Sequence, residues 1–337
     1  MLYRTGPRNL ITDVAGLRVG NAQDDIIKTG TTVILPDRPA VAGVQVLGGA
    51  PGSRETDALE PHNALQQIHA IALSGGSAFG LDAASGVQAA LREDGIGVEV
   101  RGHKVPIVPA AIIFDLINGG DKEWGRYPPY RELGYEAMRA ASHDFALGTI
   151  GAGTGALSAG LKGGLGSAST RLASGVTIGA LAVANPLGTT TISRTAHFWA
   201  APFEIGDEFG GLGLPMPMPE DAVAIRWKHE EMARANANTT IAVIATDAVL
   251  TKAEAKRLAV AAHDGFTRAI WPSHTMGDGD LVFALSTGET GVKLTELEML
   301  ELHAVAGATM ARAIARGIHA ATPSPGDLMP VWSSRLR

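Results

Sequence analysis

The chain has 337 residues, 45% hydrophobic and 18% charged, with a formal net charge of −6, 42 Gly, 18 Pro and no Cys. That length suits about two average domains or one large α/β layered unit, and it can bury a sizeable core. The absence of cysteine excludes a thiol nucleophile, a disulfide framework and Cys-ligated metal centres, and an acidic balance without a basic run argues against nucleic acid as the main partner.

Residues 1–8 contain no apolar signal-peptide region, and the longest apolar stretches, 105–114 and 178–187, are too short for a bilayer and contain proline. The expectation is a cytoplasmic protein without a membrane partner. In chain order, short Val/Ile-rich runs predict strands at 32–35 and 41–47. A helix follows at 77–93, with Leu81, Ala84, Val87 and Leu91 on one face. Residues 145–203 contain no Asp or Glu, are Gly-rich in their first half, and include a strand at 178–184. The next stretch, 206–219, is rich in Gly, Pro and Met, and the charged segment 220–237 reads as helix or linker. Strands at 240–246 and 281–286 alternate with helices at 251–270 and 295–316. Each of these helices opens on a capping box, Thr251 with Glu254 and Thr295 with Glu298. Leu258, Ala262 and Phe266 point inward on the first, and Leu297, Leu300, Ala304, Ala308 and Ala311 on the second. Interleaved strands and helices without an internal repeat predict an α/β layered fold.

Several motifs have competing readings. Gly151-Ala-Gly-Thr-Gly-Ala156 fits the dinucleotide fingerprint formally, but no helix pattern follows it and no carboxylate occurs before Glu204. A tight backbone path at a sheet edge is preferred. Gly75-Gly-Ser-Ala-Phe-Gly80 lacks the final Gly of a nucleophile elbow, so Ser77 reads as a helix N-cap. The ten His lack metal-ligand spacing, and His263 and His303 read as satisfied surface or core residues. No metal and no organic cofactor is expected. In Asn238-Thr239-Thr240 a hydroxyl residue stands at the mouth of an apolar strand, after a charged segment. A cut before Thr239 would give it a free α-amine, which can serve as base near neutrality. From spacing alone, a plain strand start is the preferred reading of these residues. Asp278-Gly279-Asp280 could hold an ammonium and a hydroxyl, or could be an Asp-Gly turn.

Taken together, these segments resemble the L-aminopeptidase/D-esterase and β-aminopeptidase family, which includes the nylon-oligomer hydrolases. The resemblance rests on Gly30-Thr-Thr-Val-Ile, Gly48-Gly-Ala-Pro-Gly-Ser-Arg-Glu-Thr-Asp57, Leu73-Ser-Gly-Gly-Ser-Ala-Phe-Gly-Leu-Asp82 and Val105-Pro-Ile-Val-Pro109. It continues through Gly151-Ala-Gly-Thr-Gly-Ala, Lys162-Gly-Gly-Leu-Gly-Ser, Ala184-Asn-Pro186, Asn238-Thr239-Thr240 and Asp278-Gly-Asp280. It implies a four-layer α/β/β/α sandwich of the N-terminal-nucleophile type, one hydrolase domain that cuts itself between Asn238 and Thr239. The products would be an α chain, 1–238, and a β chain, 239–337, which stay together. Thr239 would be the nucleophile, with Lys162 and Asn185 around it and Asp278 and Asp280 holding its amine and hydroxyl.

Some family members have Tyr where this chain has Phe114, which shifts the oxyanion role towards Asn185. Aminopeptidase members carry a Glu just after the Val-Pro-apolar-Val segment, whereas Val108 is followed here by Pro109 and Ala110. An internal-amide or ester hydrolase is therefore open beside an exopeptidase, with Phe114 and Asp115 as candidate substrate-binding residues. The expected partner is a small peptide or amide, and the expected assembly is a homo-oligomer of αβ units, such as a tetramer. An acyltransferase using the same acyl-enzyme and a small-ligand-binding protein built on the Gly-rich loops are the alternatives.

Overall fold

Strict alternation along fully buried strands requires two covered faces, and the fold supplies them as layers. The computed structural model describes residues 3–228 and 238–336. Its strands are β1 (Leu17–Asp24), β2 (Thr29–Pro36), β3 (Ala40–Val46), β4 (Ser53–Arg54), β5 (Gln67–Ile68), β6 (Ile71–Ser74), β7 (Val98–Val100) and β8 (His103–Val105). They continue as β9 (Ala110–Ile112), β10 (Leu157–Ser158), β11 (Leu161–Lys162), β12 (Gly164–Arg171), β13 (Thr177–Ala184), β14 (Ile241–Thr246) and β15 (Leu281–Ser286). The α-helices are α1 (Ala83–Glu93), α2 (Tyr130–Arg139), α3 (Lys252–Ala262), α4 (Asp264–Ala269) and α5 (Glu296–His319).

One sheet has the order β1-β2-β6-β9-β4 and the other β12-β13-β14-β15-β3-β5. Ile34, Ile71 and Leu73 of the first meet Leu181, Val183, Ile241, Val243, Leu281 and Phe283 of the second in a core between the sheets. Alternate residues of the first sheet, Val33, Leu35 and Ala72, face outward onto Val87, Leu91 and Met138 of α1 and α2. On the second sheet Ala180, Ala242, Ile244 and Val282 face Leu258, Phe266, Leu302, Met310 and Ile314 of α3, α4 and α5. The result is the expected α/β/β/α sandwich.

Three local expectations are corrected. Ser77 is not a side-chain cap: Gly76 and Ser77 both have left-handed φ, 86° and 53°, and a 3-10 turn, Ser77–Asp82, precedes α1. The turn is set by backbone contacts, with Ser77 N–H on the Ile113 carbonyl and Gly76 N–H on Asp115. The helix expected over 251–270 breaks at His263, whose N–H turns to the Val260 carbonyl while its ring bonds the Gln45 carbonyl of β3. On α5, Leu297 and Leu300 are 78% and 60% exposed, whereas Ala311 is buried as expected, in a covered stripe with Leu302, Val305, Ala306, Met310 and Ile314. Both stripes keep helical spacing, so periodicity alone does not select between them. Both capping boxes form as read.

The Gly-rich stretches bring backbones together. A Cβ on Gly166 would stand 1.9 Å from the Ala313 carbonyl oxygen of α5. The Gly151–Gly153 turn wedges against β1 and β2, with Asn21 and Thr32 atoms where a Cβ of Gly151 would go, and strands rather than a helix follow it. That leaves the dinucleotide geometry unmet. Gly166→Val should push α5 off the sheet and lower the unfolding free energy by about 1–3 kcal/mol. A urea midpoint equal to that of the wild type would contradict the packing described.

Candidate active site

Strand direction gathers the motif residues. β13 runs antiparallel to β14 with Val183 opposite Ile241, and β14 runs parallel to β15 with Ile241 opposite Leu281. The end of β13 and the starts of β14 and β15 therefore lie on one edge of the sheet. Asn185, Asn238–Thr240 and Asp278–Asp280 follow from that register, and all of them are buried.

Thr239 N–H donates to the Asn185 carbonyl at 3.1 Å. The Thr239 hydroxyl donates to the Asn238 carbonyl at 2.5 Å, and Gly279 N–H donates to that same oxygen at 2.8 Å. Gly279 has to be glycine here, because a Cβ would sit 2.7 Å from Thr239 Oγ1 and 2.7 Å from the Ala50 carbonyl oxygen. Asp280 accepts from Thr240 N–H at 2.7 Å through one oxygen, and from His274 N–H and Nδ1–H at 3.1 and 2.9 Å through the other. Asp278 accepts from the Thr275 backbone and hydroxyl and from Leu187 N–H. The two carboxylates thus hold the loops on either side of Thr239. Burial and the neighbouring Asp280 charge push the Asp278 carboxyl up.

Asn185 is anchored on both sides. Its Oδ1 accepts from Leu157 N–H at 2.9 Å and from Lys228 Nζ at 2.9 Å, while among the described residues its Nδ2 reaches the Phe114 carbonyl at 3.3 Å. Lys228 Nζ also donates to the Asn185 carbonyl at 3.0 Å. Burial drives the Lys228 amine down to about 7, with Asp278 and Asp280 opposing the shift. Nothing in the motifs pointed to Lys228; a single lysine inside the charged segment 220–237 carries no periodic or spacing signal.

The other sequence candidates are placed differently. Lys162 directs its Nζ to Asp327 at 2.7 Å and to the Thr322 carbonyl at 3.0 Å, in a cluster that also includes Lys28. Only its backbone, opposite Leu157 across the β10–β11 pair, borders Asn185. Asp115 is 2% exposed, with its oxygens taken by Thr29 Oγ1 and Gly76 N–H, both at 2.7 Å. That leaves no free carboxylate edge for a substrate. Phe114 is half-buried. A different carboxylate reaches the 105–109 segment: exposed Glu55 accepts from Val108 N–H at 3.3 Å. Its separation of over fifty residues hid it from a reading along the chain. Most of the charged segment, 229–237, lies outside the described residues. Among the described residues no cluster of three or more His, Asp or Glu could hold a metal, and no helix is long and apolar enough to cross a membrane.

Known proteins resemble this chain in sequence and in fold. Peptidase family S58 matches residues 9–328. An uncharacterised aminopeptidase of Mycobacterium tuberculosis (strain ATCC 25618 / H37Rv) is 43% identical over 338 residues, covering 94% of this chain and 96% of its own. A 6-aminohexanoate-oligomer endohydrolase of Kocuria sp. (strain KY2) is 31% identical over 299 residues, 86% of this chain and 78% of that protein. Among solved structures, a Burkholderia sp. beta-aminopeptidase superposes with a TM-score of 0.73 at 25% identity, over 100% of this chain and 94% of that one. The L-aminopeptidase D-ala-esterase/amidase of Ochrobactrum anthropi, described as a new variant among the Ntn hydrolase fold, has a TM-score of 0.72. At 20% identity, over 99% of this chain and 93% of that one, it shows a likeness of fold.

Behind Asp280, the His274 ring packs against His263, their centroids 4.8 Å apart. Burial lowers the His263 imidazole from 6.5 to about 4, with its bond to the Gln45 carbonyl opposing. Folding then expels a proton wherever the unfolded residue is charged. The stabilisation is whole above pH 6.5 and is lost as pH falls towards 4, by as much as about 3 kcal/mol. His263→Gln, which can still donate to Gln45, should remove that part of the slope. Urea unfolding of both proteins at pH 7, 5.5 and 4.5 measures the difference; parallel curves would mean that His263 takes up protons freely in the folded state.

Proposed function

This chain belongs to peptidase family S58, and from that premise we propose a self-processing amide hydrolase whose nucleophile is Thr239, released by a cut at Asn238–Thr239. Hydrolysis of peptide or amide bonds is the activity of the family. The finer reading is carried by one observation: the Thr239 hydroxyl lies against the Asn238 carbonyl oxygen while Gly279 N–H donates to that same oxygen. A nucleophile one residue downstream of a polarised carbonyl is the arrangement an N-to-O acyl shift needs.

In the self-cleavage step Thr239 Oγ adds to the Asn238 carbonyl carbon, the C–N bond breaks, and the hydroxyl proton passes to the Thr239 nitrogen. Water then hydrolyses the resulting ester, leaving an Asn238 carboxylate and a free amine and hydroxyl on Thr239. The two chains, 1–238 and 239–337, stay together in this reading because β14 is fully buried between β13 and β15. In turnover Thr239 Oγ attacks the substrate carbonyl and the α-amine takes its proton, then passes it to the leaving amine. Water releases the acid from the acyl-enzyme. Asn185 holds the α-amine through its carbonyl, and its Nδ2 exchanges a long contact to Phe114 for the developing oxyanion. Asp278 and Asp280 hold the flanking loops, and Lys162, with its Nζ on Asp327, meets the site through its backbone pairing with Leu157. The substrates are small peptides or amino-acyl oligomers, and the working form is a cytoplasmic homo-oligomer of αβ units that needs no cofactor.

Mass spectrometry of the purified protein should find the 1–238 and 239–337 chains. Thr239→Ala should remain in one piece and lose activity by about 10³-fold or more. Cleavage of that variant at the same bond would sink the assignment.

With the Asp115 carboxylate sealed, a free amino end has no grip from that residue. N-acetylated and free-amine forms of one p-nitroanilide should differ in kcat/KM by less than about 100-fold, or 2.7 kcal/mol. A larger preference that collapses in Glu55→Gln would make the enzyme a strict exopeptidase with its amine site at Glu55.

A further inference from the structure

Lys228 lies ahead of the proposed cut and is 3% exposed. Its backbone N–H is pinned to the Leu187 carbonyl at 3.0 Å, on the loop that follows Asn185. Its ammonium donates to both oxygens of Asn185, at 3.0 and 2.9 Å. One of those oxygens, the main-chain carbonyl, is also the acceptor of Thr239 N–H at 3.1 Å. Lys228 and the Thr239 nitrogen therefore share a single acceptor. With Leu157 N–H also on Oδ1, the Asn185 amide can present only its NH₂ side to the site.

We infer that Lys228 is a positioning residue for the Thr239 amine: it clamps Asn185 through both oxygens and places a cation one shared acceptor away from the nitrogen that serves as base. The inference rests on the reading of Thr239 as nucleophile. Before the cut the clamp fixes the scissile junction. After the cut, two basic amines and two carboxylates share one buried site and titrate as a group. Asp278 and Asp280 are the ionisable groups that face Lys228 among the described residues. Each carboxylate favours a protonated Thr239 amine, and the Lys228 cation opposes them. Without that cation the amine takes its proton at higher pH and is lost as a base there. A lysine that served only to fill and neutralise the interior would leave the titration of Thr239 where it was.

The test begins with the wild-type chain. If mass spectrometry shows no break at Asn238–Thr239, the nucleophile reading itself fails, and Lys228 has nothing to tune. If the break is present, kcat/KM for a free-amine p-nitroanilide is followed from pH 5 to 9 in Lys228→Met, or in Lys228→Gln should the Met variant not fold, and in Lys228→Arg. The neutral variant should self-cleave at least about tenfold more slowly, with the acid limb of kcat/KM moved up by about one pH unit. Lys228→Arg, which keeps the charge, should hold that limb near its wild-type position. A neutral variant that stays folded and uncut while Lys228→Arg is cut also supports the role. A neutral variant with an unmoved acid limb overturns it. So do variants that are all uncut or all unfolded, since that pattern marks a purely structural lysine.

Discussion

The parallel pairing of β14 with β15, beside an antiparallel β13, is the constraint on which the site depends. Parallel neighbours start at the same edge of a sheet, and an antiparallel neighbour ends there. Three segments distant in the chain, around Asn185, Asn238–Thr240 and Asp278–Asp280, are thereby brought within hydrogen-bonding reach of one another. A slip of one residue in either pairing would turn Ile241, Val243 and Leu281 out of the inter-sheet core. The hydrophobic pattern that holds the two sheets together therefore also holds the register of the site.

Within that frame the polar groups are largely satisfied by each other. Asp280 ties Thr240 to His274, Asp278 ties Leu187 to Thr275, and Asn185 ties Thr239 to Lys228 and Leu157. Among the described residues, both side-chain polar atoms of Asn238, the hydroxyl of Thr240, Nε2 of His274 and Nδ1 of His263 are buried without a hydrogen-bond partner. Each such group costs about 1–3 kcal/mol.

Glycine has two separate duties in this chain. Gly166 lets a helix lie directly on a sheet, and Gly279 leaves room for the hydroxyl of Thr239. Only the second lies in the candidate site. The Gly-rich segment from 151 to 166 looks on paper like a ligand-binding loop, yet its backbone is buried against β1, β2 and α5. Composition cannot separate these duties, because a missing Cβ is needed both for close packing and for a reacting group.

The layered fold, its principal strands, both capping boxes and the Asn238–Thr239 and Asp278–Asp280 segments were legible in the sequence, while Asn185 came only through the family resemblance. Each is written in local terms: alternation of period two, a hydroxyl with an acid three residues on, or a short ordered motif. What the tertiary structure alone decided concerns side chains that act across long separations. Lys228 joins Asn185 from 43 residues away, and Glu55 reaches Val108 from 53. Lys162 turns to Asp327 rather than to Thr239, and Asp115 is sealed by Thr29 and Gly76. The break at His263 and the choice of covered stripe on α5 belong with them. Spacing along a chain encodes which residues share a face, whereas where a long charged side chain finds its partner depends on what the packed layers leave beside it.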